Sequence, residues 1–111
     1  MGCCHVRNQC LVIRLPGEID HFQAEEIRKE CELEFFRSLI RDIIFDFSET
    51  SFMDSSGIGL VLGRVQQIKP IQGRVFLFGG NEQIRRMWEM SGVLKYVTIL
   101  ESVEEMKEVY A

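Results

Sequence analysis

Little in this sequence pulls it away from an ordinary folded domain. Among 111 residues there are only two prolines, one tryptophan and two histidines. No apolar run approaches the roughly 18 residues of a membrane span, and no stretch has the pattern of a secretory signal. A membrane is therefore not an expected partner, and the cytoplasm is the expected compartment. Positive charge is also scarce, with a net charge of −4 and a pI near 5.2. A phosphate backbone is bound by a basic field, so nucleic acid is not an expected partner either. The acidity sits in the first half. Residues 1–55 carry 6 basic and 11 acidic side chains, whereas residues 56–111 carry 7 and 6.

Cysteine occurs four times, as Cys3, Cys4, Cys10 and Cys31, but no C-x-x-C and no usual zinc-site spacing accompanies it. Cys3-Cys4-His5, joined by His21, is the combination that could be drawn as metal ligands. Reduced thiols near the start of the chain and on core faces are the better reading, so no metal and no cofactor is expected. Gly2 could suggest myristoylation, but that motif wants Ser or Thr where the chain has Val6.

What is present reads as alternating strands and helices. Leu11, Ile13 and Leu15 alternate with Cys10, Val12 and Arg14, which is a strand ended by Pro16-Gly17. His5 to Asn8 can pair with it through a turn near Asn8-Gln9. Asp20 caps a helix whose stripe is Ala24, Ile27, Cys31, Phe35 and Leu39. Its Glu25, Glu26, Glu30, Glu32 and Glu34 read as a solvated face.

Residues 43–47 form a short, nearly continuous apolar run interrupted at Asp46, the pattern of a strand covered on both faces. After the polar Ser48 to Ser51, a helical pattern runs from Gly57 through Ile58, Val61, Leu62, Val65 and Ile68. Pro70 and Gly73 end it. Residues 74–78 read as a strand, Asn81 as the cap of a short helix facing Ile84, Met87 and Trp88 inward, and Gly92 as its C-terminal cap. Tyr96 to Leu100 can form a last short strand, and Ser102 caps a final helix carrying Met106, Val109 and Tyr110. The expected architecture is one α/β domain over residues 1–111. Its mixed, mostly parallel sheet has four to five strands and is packed with about four helices.

The unusual stretch is Asp54-Ser55-Ser56-Gly57-Ile58-Gly59, continuing to Gly63-Arg64. It joins a buried strand to a helix, placing Ser55 and Ser56 at a helix N-terminus, where exposed N–H groups and the dipole favour a phosphate. Three glycines at 57, 59 and 63 each cost helix stability, by up to about 1 kcal/mol relative to Ala. Close approach of the helix to the sheet, or of a partner to the loop, would offset that cost. Enzyme motifs fail here: Leu62 stands where a dinucleotide fingerprint needs its third glycine. No Gly-Lys-Ser/Thr exists, and Met53 stands at the first glycine of a nucleophile elbow. Helix capping, a modified or phosphate-binding serine, and catalysis remain as readings, in that order.

These residues also carry a resemblance. Asp54 to Gly59 resembles the signature of STAS domains, the family of anti-sigma factor antagonists. Gly17-Glu18-Ile19-Asp20, Phe52-Met53, Leu62-Gly63-Arg64, Gln72 to Val75 and Met90-Ser91-Gly92 fit the same family, so the likeness covers nearly the whole chain. Within the family it leans toward antagonists of spore-forming bacteria, which regulate transcription in sporulation.

The resemblance implies a regulator rather than an enzyme. Such a protein binds an anti-sigma factor that is also a serine kinase and thereby releases a sigma factor. It is switched off by phosphorylation of the serine after the signature aspartate, here Ser55, and a PP2C-type serine phosphatase restores it. Ser56 is the rival acceptor, separated from Ser55 by the family register alone. Asp20 matches a position of the partner-binding surface, with Asp54, Ser56, Gly57 and Gly59 expected around it. The alternative keeps the fold as a scaffold without a switch, or as a nucleotide-binding interaction module.

Overall fold

The computed structural model describes residues 3–111. A hairpin opens the fold. Strand β1 (Cys4–Arg7) runs antiparallel to β2 (Cys10–Arg14), with His5 opposite Val12. Asn8 and Gln9 make the turn, both with positive φ (48° and 64°), the conformation that matches the twist of a two-residue hairpin. Three further strands pair in parallel: β4 (Asp42–Asp46), β6 (Val75–Phe78) and β7 (Thr98–Leu100). The sheet order is β1-β2-β4-β6-β7. The expected mixed, mostly parallel sheet is therefore present with five strands.

Four α-helices pack on it: α1 (His21–Arg37), α2 (Ser55–Ile68), α3 (Glu82–Ser91) and α4 (Val103–Val109). Strand alternation divides the side chains into two cores. Leu11, Ile13, Ile43, Phe45 and Leu77 point toward α1, α2 and α3, into a core with Ile27, Cys31, Val61, Ile84 and Trp88. Cys10, Val12, Ile44, Phe76 and Leu100 point the other way, where Met106, Val109 and Tyr110 cover them.

Helix α1 departs from the expected stripe at its end. Ala24, Ile27 and Cys31 are buried, but the helix stops at Arg37, and Ser38 turns extended (φ −135°, ψ 149°). Leu39 thus leaves the helical phase and is 75% exposed. The glutamate face is tied within the helix, through Glu25 to Arg28, Glu26 to Lys29 and Glu34 to Arg37. Two short strands also escape the sequence reading. They are β3 (Glu18–Ile19) and β5 (Phe52–Met53), which pair in parallel as a separate two-stranded sheet.

One buried charge fixes the entry of the sheet. Asp42 accepts hydrogen bonds from the backbone N–H of Arg74 (2.9 Å) and from its guanidinium (Nη2, 2.9 Å). Burial pushes the Asp42 carboxyl up, but the bonds from Arg74 outweigh it and hold it below its ordinary value. A carboxyl depressed in the folded state stabilises above its unfolded pKa, about 3.9, and that contribution is lost as pH falls through the folded value. Asp42→Asn is therefore expected to flatten the acid limb of stability against pH. Urea midpoints taken from about pH 5 downward check this. An unchanged slope would show that the pair does not govern acid unfolding.

Candidate functional site

The two-residue strands β3 and β5 build the site. Glu18 pairs with Phe52 and Ile19 with Met53. Around them the loops are zipped: Thr50 Oγ1 donates to the Pro16 carbonyl (2.8 Å), Ser51 N to that of Gly17 (2.8 Å), and Asp54 N to that of Ile19 (3.0 Å). Asp20 and Asp54 directly follow the two strands, so each becomes the N-cap of the next helix. Asp20 Oδ1 accepts from Gln23 N (2.8 Å) at α1, and Asp54 Oδ1 accepts from Ser56 N (2.8 Å) at α2. A third helix start joins from the side, where Asn81 caps α3 through Ile84 N and donates from Nδ2 to the Ser51 carbonyl (3.1 Å). Helix N-termini gathered beyond the carboxyl ends of parallel strands are the usual binding edge of an open α/β sheet.

Helix phase separates the candidate residues. Ser55 is the first residue of α2 and is exposed. Ser56 is half-buried and faces a cleft of about 310 Å³ between α1 and α2, lined also by His21, Arg28, Gly59 and Arg64. Gly59 is exposed, and Gly63 follows one turn later in the same cleft. A methyl added at either would meet nothing within 4 Å. Gly57 differs. It is buried, and a Cβ there would run into the Met53 side chain. It serves the close packing of α2 on β5 and offers no surface to a partner, unlike the other expected residues. Asp20, Asp54, Ser55, Ser56 and Gly59 are brought together.

The residue spacing left several neighbours unseen. Phe22 (64% exposed) and Phe52 (49%) present apolar rings from the first turn of α1 and from β5. Their exposure depends on the β3–β5 pairing, which is too short to leave a periodic signal. Arg64 is 94% covered, its Nε donating to Gln67 Oε1 (2.9 Å) while Nη1 has no hydrogen-bond partner among the described residues.

Comparison with known proteins agrees with this fold. Residues 4–106 match the STAS domain. The chain belongs to the STAS family. This STAS domain is similar to the anti-sigma F factor antagonist of Lysinibacillus sphaericus, at 39% identity over 88 residues. That alignment spans 79% of this chain and 75% of the relative. Its fold is similar to the solved structure of the anti-sigma factor antagonist SpoIIAA in its unphosphorylated form, with a TM-score of 0.82 and 35% identity. That match covers 95% of this chain and 91% of the other. The Bacillus cell fate determinant SpoIIAA in its phosphorylated form matches with a TM-score of 0.74 and 35% identity, over 95% of both chains.

The resemblance read from the signature residues is thus a family membership, and the α/β architecture expected from the residue patterning is that of the family's solved structures. Among the described residues of this STAS domain, no helix is long and apolar enough to cross a membrane.

Proposed function

We propose that this STAS domain is an anti-sigma factor antagonist that acts by binding, not by catalysis. It binds, in the cytoplasm, an anti-sigma factor that is also a serine kinase, and so releases the sigma factor. Phosphorylation of Ser55 turns binding off, and a PP2C-type serine phosphatase restores it. The observation that carries this reading is Ser55 itself, exposed at the first position of α2. It directly follows the capping carboxylate of Asp54, which the β3–β5 pairing brings beside the Asp20 cap, on a domain that also exposes Phe22 and Phe52. A kinase can reach this hydroxyl without unfolding the loop. Ser56, half-buried in the cleft, is the poorer acceptor.

The switch works by charge at the interface. Phosphate adds about −1.5 to −2 charge at Ser55. The N-terminus of α2 favours it by about 0.3–1 kcal/mol, while Asp54 and Asp20 oppose it. These effects nearly cancel inside the domain, so the fold stays as it is. They do not cancel for a partner that desolvates the serine or faces it with carboxylates. Incubation with the kinase and ATP, followed by peptide mapping, tests the assignment. Phosphate is expected on Ser55, absent from Ser55→Ala. Phosphate on Ser56, or none with a kinase active on another substrate, would overturn it.

The second reading, a nucleotide-binding interaction module without a switch, draws on the cleft. There the covered Arg64, whose Nη1 has no hydrogen-bond partner among the described residues, lines the same cleft as His21 and the Arg28–Glu25 pair, and a free guanidinium N–H can meet an anionic group. It expects substitutions at Ser55 to leave partner binding alone.

A further inference from the structure

Midway along α1, at Glu30, the fold assembles a second group of side chains apart from the candidate site. Strand β1 begins against α1, and this brings Cys3 and Cys4 beside Glu30, 27 positions later in the chain. The Cys3 and Cys4 sulfurs are 3.9 Å apart, and Cys3 Sγ lies 3.7 Å from Glu30 Oε1. All three donor atoms fall within 4.8 Å of one another. The backbone N–H of Cys3 donates to the same carboxylate oxygen (2.9 Å), which fixes the Glu30 side chain from outside, as partners of ligating groups do in metal sites. The group borders an open cavity of about 530 Å³ whose wall includes Arg14.

We propose that Cys3, Cys4 and Glu30 form a Zn²⁺ site. Two of the separations, 3.9 Å and 3.7 Å, are close to those of one tetrahedral centre, and the third, from Cys4 Sγ to Glu30, lies within 4.8 Å. Zn–S bonds of about 2.3 Å put two sulfurs about 3.8 Å apart, and a Zn–O bond of about 2.0 Å puts oxygen about 3.5 Å from sulfur. The donor set selects the metal. Two thiolates with one carboxylate suit zinc, whereas magnesium and calcium want oxygen alone and copper(I) prefers sulfur alone. Three protein ligands leave the fourth position to water from the cavity, the arrangement of an open zinc site. Binding displaces the two thiol protons to solvent and breaks no other bond. The resulting charge of −1 on the ligated centre shares the cavity wall with Arg14, itself paired with Asp46, and with Glu26 and Glu49. This departs from the reading of the cysteines as unliganded thiols. Their spacing does not match a zinc motif because the third ligand comes from a different element.

The test is metal content by elemental analysis after dialysis of the whole chain against micromolar Zn²⁺ in a phosphine-reduced buffer. Competition with a chromogenic chelator gives the affinity. One equivalent of zinc per chain is expected, unaffected by excess Mg²⁺ or Ca²⁺ and lost in Cys4→Ser. Cys3→Ser and Glu30→Gln, both at half-buried positions, keep the test open if Cys4→Ser misfolds. Each should weaken binding at least about tenfold. Cobalt in place of zinc should give visible bands with thiolate charge transfer, missing from the cysteine variants. Zinc retained in a Cys3→Ser, Cys4→Ser double variant would overturn the site. So would half an equivalent accompanied by dimerisation, or no zinc held by the reduced wild type.

Discussion

Ser55→Asp is expected to weaken binding to the kinase partner at least about tenfold, and full phosphorylation about a hundredfold, while the melting temperature moves by only a few degrees. The two numbers separate because the charge is felt in two settings. Within the domain, Ser55 is exposed at a helix start, and a carboxylate there gains about 0.3–1 kcal/mol from the helix dipole. Asp54 Oδ1 is already committed to Ser56 N, so the cap survives and repulsion from solvated neighbours is modest. At the proposed interface, exclusion of water makes juxtaposed like charges cost several kcal/mol. Ser55→Ala should bind like the wild type and resist phosphorylation. Titration calorimetry with the isolated partner, beside a thermal melt of each variant, reads both numbers. Binding of Ser55→Asp within twofold of wild type would remove the switch and leave the scaffold reading. A fall in melting temperature as large as the loss of binding would mean that charge acts by unfolding the loop.

How far the sequence reveals this arrangement depends on how each part is held. Elements whose side chains repeat are readable: Leu11, Ile13 and Leu15 alternate because one sheet face is core, and they are buried in the structure. Caps are readable because they are local. Asp20, Asp54, Asn81 and Ser102 each bond an N–H two or three residues ahead, as a short polar side chain before a helix must. What fails is whatever needs a partner distant in the chain. Strands β3 and β5 have two residues each, too few to show a period, yet their pairing sets Asp20 beside Asp54. Leu39 fits the stripe of α1 by spacing alone, and loses its place because the helix ends two residues earlier. Ser55 and Ser56 are equivalent in sequence and become distinct by one step of helix phase, about 100°, which turns Ser56 toward the cleft. The pairing of Cys3 and Cys4 with Glu30 is of the same kind, since no motif spans an interval of 27 residues.

Trp88→Ala is expected to cost about 3–5 kcal/mol of folding stability, the range for emptying a fully buried aromatic site. Trp88 has no exposed surface and meets Phe47 edge-on, with ring centroids 5.2 Å apart. On its other side the backbone of Gly80 comes so close that an added Cβ would stand 2.8 Å from the ring, at a φ of +84° that glycine adopts without strain. Neither neighbour can move inward easily, because Phe47 directly follows the central strand β4 and Gly80 is held at positive φ between β6 and α3. The cavity would therefore stay open, which is the costly case. The indole Nε1 has no hydrogen-bond partner among the described residues, so the loss is one of packing together with the Arg85 guanidinium 5.6 Å over the ring, and Trp88→Phe should recover more than half of it. Urea unfolding of the three proteins measures this. Against a total of about 5–15 kcal/mol for a domain of this size, the alanine variant would be close to its unfolding threshold. The consequence reaches the functional surface, because Phe47 leads into residues 48–51, and Asn81 at the head of the same helix holds the Ser51 carbonyl. Hydrogen exchange at residues 51–57 should rise in Trp88→Ala. If it does not, the loop that presents Ser55 is held by the β3–β5 pairing alone.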